Sequence, residues 1–116
     1  MITFTNRFHG HGSLRYVYQN GQAFRTRLVI MKVNKNPHRK NSRIAVVVSK
    51  KVLKSAVGRN RIRRRVYEYI RTQLPEFTDV FDIVFVITSP EMRDIEYDEI
   101  ISQLSQILNQ AGIVKI

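Results

Sequence analysis

Five arginines stand within seven positions of the chain, Arg59, Arg61, Arg63, Arg64 and Arg65, and Lys50, Lys51 and Lys54 come just before them. A guanidinium is a planar fork of donors that meets phosphate oxygens two at a time and stays charged at every physiological pH. So many like charges in two turns of chain repel one another, and their concentration implies a polyanion that supplies the counter-charge. Local compensation is scarce, because Glu68 is the one carboxylate at helical i,i+3 or i,i+4 spacing from these arginines.

Other chemistry-bearing residues are sparser. Two imidazoles in "HGH", His9 and His11, and a third at His38 make a weak metal signal without further ligands at good spacing. Asp94, Glu96, Asp98 and Glu99 cluster where acids suit the positive end of a helix. A nuclease acting alone needs converging carboxylates, and the acids here, Asp82 among them, lie mostly away from the basic segment; Glu68 is the exception. No phosphate-cradling glycine loop is present, and the absence of cysteine excludes disulfides and thiolate metal sites. No catalytic constellation stands out.

The charge balance sharpens the picture. Twenty Lys and Arg against nine Asp and Glu give +11, unevenly placed. Residues 1–71 hold 18 basic and 1 acidic side chain, and residues 72–116 hold 2 basic and 8 acidic. Nucleic acid heads the list of partners for such a basic side. At 116 residues and 43% hydrophobic content, the chain is expected to form one globular domain over 1–116. No apolar run approaches the ~18 residues of a membrane span, so no membrane partner is expected. The start lacks the apolar stretch of a secretory signal, and a cytoplasmic location is expected.

The elements that must position the arginines follow from periodicity. "GSLRYVYQNG" predicts a short helix capped by Ser13 and stopped by Gly21. Residues 26–33 and 43–50, rich in β-branched side chains, predict two strands, joined as an antiparallel hairpin by the polar, basic turn 34–41. Helical spacing from Ser55 to Leu74 places Ile62, Val66, Tyr69, Ile70 and Gln73 on one side, with Pro75 closing the segment. The apolar run 80–89 predicts a buried strand, and Tyr97 to Ala111 an amphipathic helix stopped by Gly112. The order is αββαβα, an α+β fold with a sheet covered by helices.

On the basic helix, Ile62, Val66 and Ile70 mark the packing face. Asn60, Arg64, Tyr67 and Arg71 form a far stripe, Arg61, Arg65 and Glu68 one flank, and Arg59 and Arg63 the other edge. A solvated helix face alternates its signs, whereas this one does not, which favours nucleic-acid contact. No helix-turn-helix, zinc finger or basic zipper is visible. The aromatic and basic residues Phe8, Tyr16, Tyr18, Phe24, Arg25 and Arg27 suit single-stranded RNA held by stacking and charge.

"SKKVLKSAVGRNRIRRRVYEYIR", Ser49 to Arg71, resembles the signature of the bacterial ribonuclease P protein component, S-K-K, four residues, A-V-x-R-N-R-x-K-R. Ser49, Lys50, Lys51, Ala56, Val57, Arg59, Asn60, Arg61 and Arg64 match it, and Arg63 stands for the usual Lys. The element order agrees along almost the full chain. Departures are Leu14 where the family often has Phe, Lys32 where Tyr is common, Tyr67 before Glu68 where R-E is common, and Thr88 and Ser89 in place of a basic pair.

The resemblance implies a ribosomal-S5-domain-2-like fold with a left-handed βαβ crossover. It also implies the protein subunit of a ribonucleoprotein that removes the 5′ leader from precursor tRNA, an endoribonuclease whose RNA subunit carries the catalysis and binds the Mg²⁺. The implied partners are that catalytic RNA and precursor tRNA, with the protein a monomer within the holoenzyme and no catalytic or metal-ligating residue of its own. Carried over by position, Lys50, Lys51, Arg59, Asn60, Arg61, Arg63 and Arg64 contact the catalytic RNA. Tyr18, Phe24, Arg27, Lys32, Ser49 and Lys51 are placed at the single-stranded leader. A different reading of the same residues is a non-catalytic RNA-binding module, such as a ribosomal protein or an RNA chaperone.

Overall fold

Phe81–Ile87, apolar at every position but Asp82, has too little polar surface for the edge of a sheet, and in the structure it lies in the interior of one. The structure, a computed structural model, describes residues 6–8 and 11–114. In chain order the elements are α1 (His11–Asn20), β1 (Gln22–Arg25), β2 (Val29–Lys35), β3 (Arg43–Val47), α2 (Ala56–Gln73), β4 (Phe81–Ile87) and α3 (Tyr97–Gln110). One α+β domain results, a four-stranded sheet in the order β1-β2-β4-β3 with three helices.

Two sequence expectations are corrected here. A short strand, β1, precedes the two expected ones and pairs antiparallel with β2, so the order is αβββαβα. The expected β2–β3 hairpin does not form. β4 inserts between those strands, antiparallel to β2 and parallel to β3, with α2 as the crossover from β3. The reason is burial: β4 is apolar on both faces and gains most from a neighbour on each side, whereas β3 tolerates an edge.

Local signals set the helix ends. The Ser55 hydroxyl caps α2 by accepting from the Gly58 N–H at 3.0 Å, and Pro75 sits in a 3₁₀ turn, Leu74–Glu76, that ends it. α1 begins at His11, so Ser13 lies within the helix instead of capping it. Gly21 does stop α1, through close approach: a Cβ there would come within 2.6 Å of the Val17 carbonyl oxygen and 3.0 Å of the Val33 nitrogen. Gly112 ends α3 with φ +73°, where other residues are strained.

The pleat sends alternate residues to opposite faces. Val29, Met31 and Val33 of β2, registered with Ile87, Phe85 and Ile83, face the main core with Ile62, Val66 and Ile70 of α2. Ile100, Leu104, Ile107 and Leu108 of α3 complete it. Full burial of each such side chain contributes about 1.5–3 kcal/mol. On the second face α1 covers part of β2 and β4 and buries Val17 and Val84.

That second face also holds a buried ion pair. Arg43 donates from Nε and Nη2 to the two carboxylate oxygens of Asp82, at 2.9 and 2.7 Å. Asn36 adds a bond to Asp82 at 2.8 Å, and the Phe8 ring lies 4.8 Å from the guanidinium carbon. With its lone pairs engaged this way, Asp82 is a structural carboxylate.

Candidate nucleic-acid interface

With Ile62, Val66 and Ile70 fully buried, the orientation of α2 is fixed and its arginines are distributed around the remaining circumference. The structure brings the expected group together but gives its members different work. Arg59 donates from Nη1 to the carbonyls of Leu53 and Lys54, at 3.0 and 2.7 Å, tying the preceding connection to the helix start. Arg61 donates from Nε to the Arg93 carbonyl at 2.8 Å, and Arg63 from Nη1 to Asn60 Oδ1 at 2.7 Å. Arg64 is exposed and makes no bond within the chain, as do Lys50 and Lys51 in the turn after β3.

Arg65 is the least free of the set. It donates to the carbonyls of Met92 and Arg93, both at 2.8 Å, and to that of Ile95. Burial, and then the neighbouring Arg61 charge, push its pKa below the ordinary guanidinium value. Not one of the five guanidiniums from Arg59 to Arg65 has a described carboxylate within ion-pair distance. Of the five, Arg61 and Arg64 are exposed and offer their charge outward.

Tyr67 corrects the expected exposed stripe. Its ring is half-buried against the core, and its hydroxyl accepts the Val46 N–H of edge strand β3 at 3.2 Å. Glu68 pairs with Arg71 at 2.6 Å, and that bond holds its carboxyl below the usual range.

The second surface lies on the α1 side of the sheet. Tyr18 is 47% exposed, and the Lys32 ammonium sits 5.0 Å above its ring while donating to its backbone carbonyl at 3.0 Å. A groove of about 340 Å³ beside them is lined by Leu14, Arg15, Tyr18, Gln19 and Val47. Arg15 and Gln19 were not singled out from sequence, although Leu14/Tyr18 and Arg15/Gln19 stand one helical turn apart and that spacing marks the face.

The other expected leader residues are scattered. Phe24 is registered opposite Met31, on the main-core face of the sheet, and packs half-buried there, so it does not share the groove of Tyr18. Arg27 lies in the β1–β2 turn, paired with Glu91 at 3.0 Å. Ser49 Oγ accepts from the Val52 N–H at 3.3 Å within the turn that exposes Lys51.

The acidic cluster sits at α3: Glu96 is its N-cap residue, Asp98 and Glu99 lie in its first turn, and Asp94 pairs with Arg93 at 2.8 Å. His9 lies outside the described residues, His11 opens α1, and His38 is in the β2–β3 turn. Among the described residues no three His, Cys, Asp or Glu come together to hold a metal, and no helix is long and apolar enough to cross a membrane.

The fold and this surface define a small basic α+β protein that displays guanidiniums around a crossover helix and an aromatic, cationic groove on its sheet. Residues 3–112 match the Ribonuclease P protein family. The ribonuclease P protein component of Clostridium botulinum is 36% identical over 109 residues, covering 93% of this chain and 96% of the relative. That of Chloroflexus aurantiacus is 38% identical over 100 residues, covering 86% and 73%. The solved ribonuclease P protein of Staphylococcus aureus superposes with a TM-score of 0.83 at 23% identity, over 95% of this chain and 98% of that one. The Thermotoga maritima protein gives 0.78 at 22%, over 90% and 96%, and both likenesses bear on the fold. The chain belongs to the ribonuclease P protein component family, the accessory protein subunits of ribonuclease P.

Proposed function

We propose that this chain serves bacterial tRNA 5′ processing in the cytoplasm by binding two RNAs on two surfaces. One surface is the flank of α2 and the turn before it, where Lys50, Lys51, Asn60, Arg61, Arg63 and Arg64 meet phosphates of the ribonuclease P RNA. Arg59 holds the turn against the helix so that those cations keep their spacing. The other surface is the groove at Tyr18 and Lys32, which takes the single-stranded 5′ leader of precursor tRNA by stacking and charge. In this reading the protein is a monomer within the holoenzyme.

The observation that carries the reading is the row of guanidiniums from Arg59 to Arg65 without a described carboxylate partner, in a chain that matches this family along nearly its whole length. A folded RNA supplies the missing counter-charge. Catalysis belongs to the RNA subunit in this proposal, along with most of the Mg²⁺.

The test is cleavage of precursor tRNA by a bacterial ribonuclease P RNA at low Mg²⁺, with and without this protein. Protein-dependent release of the intact 5′ leader is the expected result. Salt-sensitive RNA binding without stimulation of a cognate RNA would assign the chain to general RNA binding instead.

A further inference from the structure

A groove of about 320 Å³ opens between α2 and the start of α3, lined by Arg61, Arg64, Arg65, Glu68 and Tyr97. Tyr97 is the one aromatic there and is 38% exposed, while the wall opposite is cationic. Among the described residues Arg64 has no hydrogen-bond or ion-pair partner, and Arg61 uses only Nε, which leaves its terminal donors for a ligand. Arg65 is committed to three carbonyls and serves as wall. Glu68 gives Oε1 to Arg71, and among the described residues no bond reaches Oε2.

We propose that this groove holds one unpaired nucleotide of the ribonuclease P RNA, its base stacked on Tyr97 and its phosphate on Arg61 and Arg64. This inference rests on the RNA-subunit reading given above. An exposed aromatic face beside free guanidiniums is the arrangement that holds an unstacked base and its backbone together. Orientation follows from charge. Glu96 and Asp98 flank Tyr97 in the chain and are both exposed, so they repel phosphate from the α3 side and leave the backbone to the α2 side. The free oxygen of Glu68 accepts only, which favours a base carrying an exocyclic amino group, as in adenine, cytosine or guanine.

Two substitutions separate stacking from packing. Tyr97→Leu keeps apolar bulk at the start of α3 and removes the π-face, and Tyr97→Phe keeps both. Each is compared with the parent for affinity toward the RNA subunit and for chemical probing of the unpaired nucleotides in the complex, with thermal melting as the check on folding. The expected result is about a ten-fold weaker complex for Tyr97→Leu (~1.4 kcal/mol) and less than about two-fold for Tyr97→Phe. One adenosine, cytidine or guanosine protected by the parent and by Tyr97→Phe should become reactive with Tyr97→Leu.

Parental affinity for Tyr97→Leu overturns the proposal, as does an equal loss in both variants or an unchanged probing pattern. A uridine at the protected position overturns the part given to Glu68. Failure of the parent itself to bind or stimulate the RNA counts against the RNA-subunit reading, so the two failures are told apart.

Discussion

The Lys32 ammonium stands 5.0 Å above the Tyr18 ring and bonds to the carbonyl of the same residue at 3.0 Å. One face of the phenol is thereby covered by charge, and in the proposed leader site a base stacks on the other. Tyr18→Leu should weaken leader-bearing precursor by about 1–3 kcal/mol while leaving mature tRNA unchanged. Lys32→Ala should lower the log–log salt slope of precursor binding by about 0.7 if the ammonium neutralises one phosphate. Holoenzyme titrations with both RNAs over a salt series check this, and equal losses for mature tRNA would make the two residues structural.

Arg64 and Arg65 are chain neighbours with opposite expected phenotypes. Arg64→Ala removes an exposed cation with no hydrogen bond or ion pair to a described residue, so stability should stay within about 0.5 kcal/mol while RNA affinity falls and the salt slope drops by about 0.7–0.9. Arg65→Ala leaves the carbonyls of Met92, Arg93 and Ile95 without their donor and should cost about 1–3 kcal/mol of stability. Urea unfolding beside RNA titration separates the two, and equal stability of the variants would remove the structural role of Arg65.

The buried Arg43–Asp82 pair should respond to single and double replacement in opposite ways. Asp82→Ala alone strands a buried guanidinium and should cost about 3–5 kcal/mol, whereas Arg43→Met with Asp82→Leu should be neutral or stabilising. The double variant, if folded, should stimulate leader cleavage as the parent does. Loss of cleavage in a folded double variant would point to chemistry at Asp82.

Burial raises the phenol pKa of Tyr67 above its ordinary value near 10, and the same cause acts on Tyr69. The unfolded chain therefore releases these protons first as pH climbs, so the folded-state advantage is complete below about pH 10 and declines above it. Tyr67→Phe should cost about 1 kcal/mol at neutral pH through the lost bond to the Val46 N–H. Its deficit should shrink above about pH 10, read as urea midpoints at the two pH values. A constant gap would assign the alkaline loss to other groups.

Much of this was legible in the residues because helical period and capping are local. Ser55, Pro75 and the Ile62–Val66–Ile70 spacing placed α2 almost to the residue. Pairing is not local, and there the reading failed. β2 and β3 looked like a hairpin because they are neighbours in the chain, yet the doubly apolar β4 carried the information that something must lie on each side of it.

β1 was invisible because QAFR is too short to show alternation. The face of Phe24 depends on the register of β1 against β2, where Phe24 opposite Met31 packs on the main-core side, and no local pattern carries that register. Arg43 entered only the charge count, and its pairing with Asp82, the one charged residue of β4, depends on the parallel β3–β4 register. The partners of Arg59, Arg61 and Arg65 are backbone carbonyls, which composition does not reveal.

The strand that neighbours both β2 and β3 is the last of the four to leave a ribosome. Until Ile87 has emerged, β3 has among the described residues no strand partner beyond a single bridge from Arg7 to Ile44, and the main core cannot close. α2 is synthesised before that moment, with its guanidiniums complete and its apolar face uncovered. Sequence-distant pairing of this kind also slows folding. During that interval the nascent segment carries its guanidiniums with no core to seat Ile62, Val66 and Ile70.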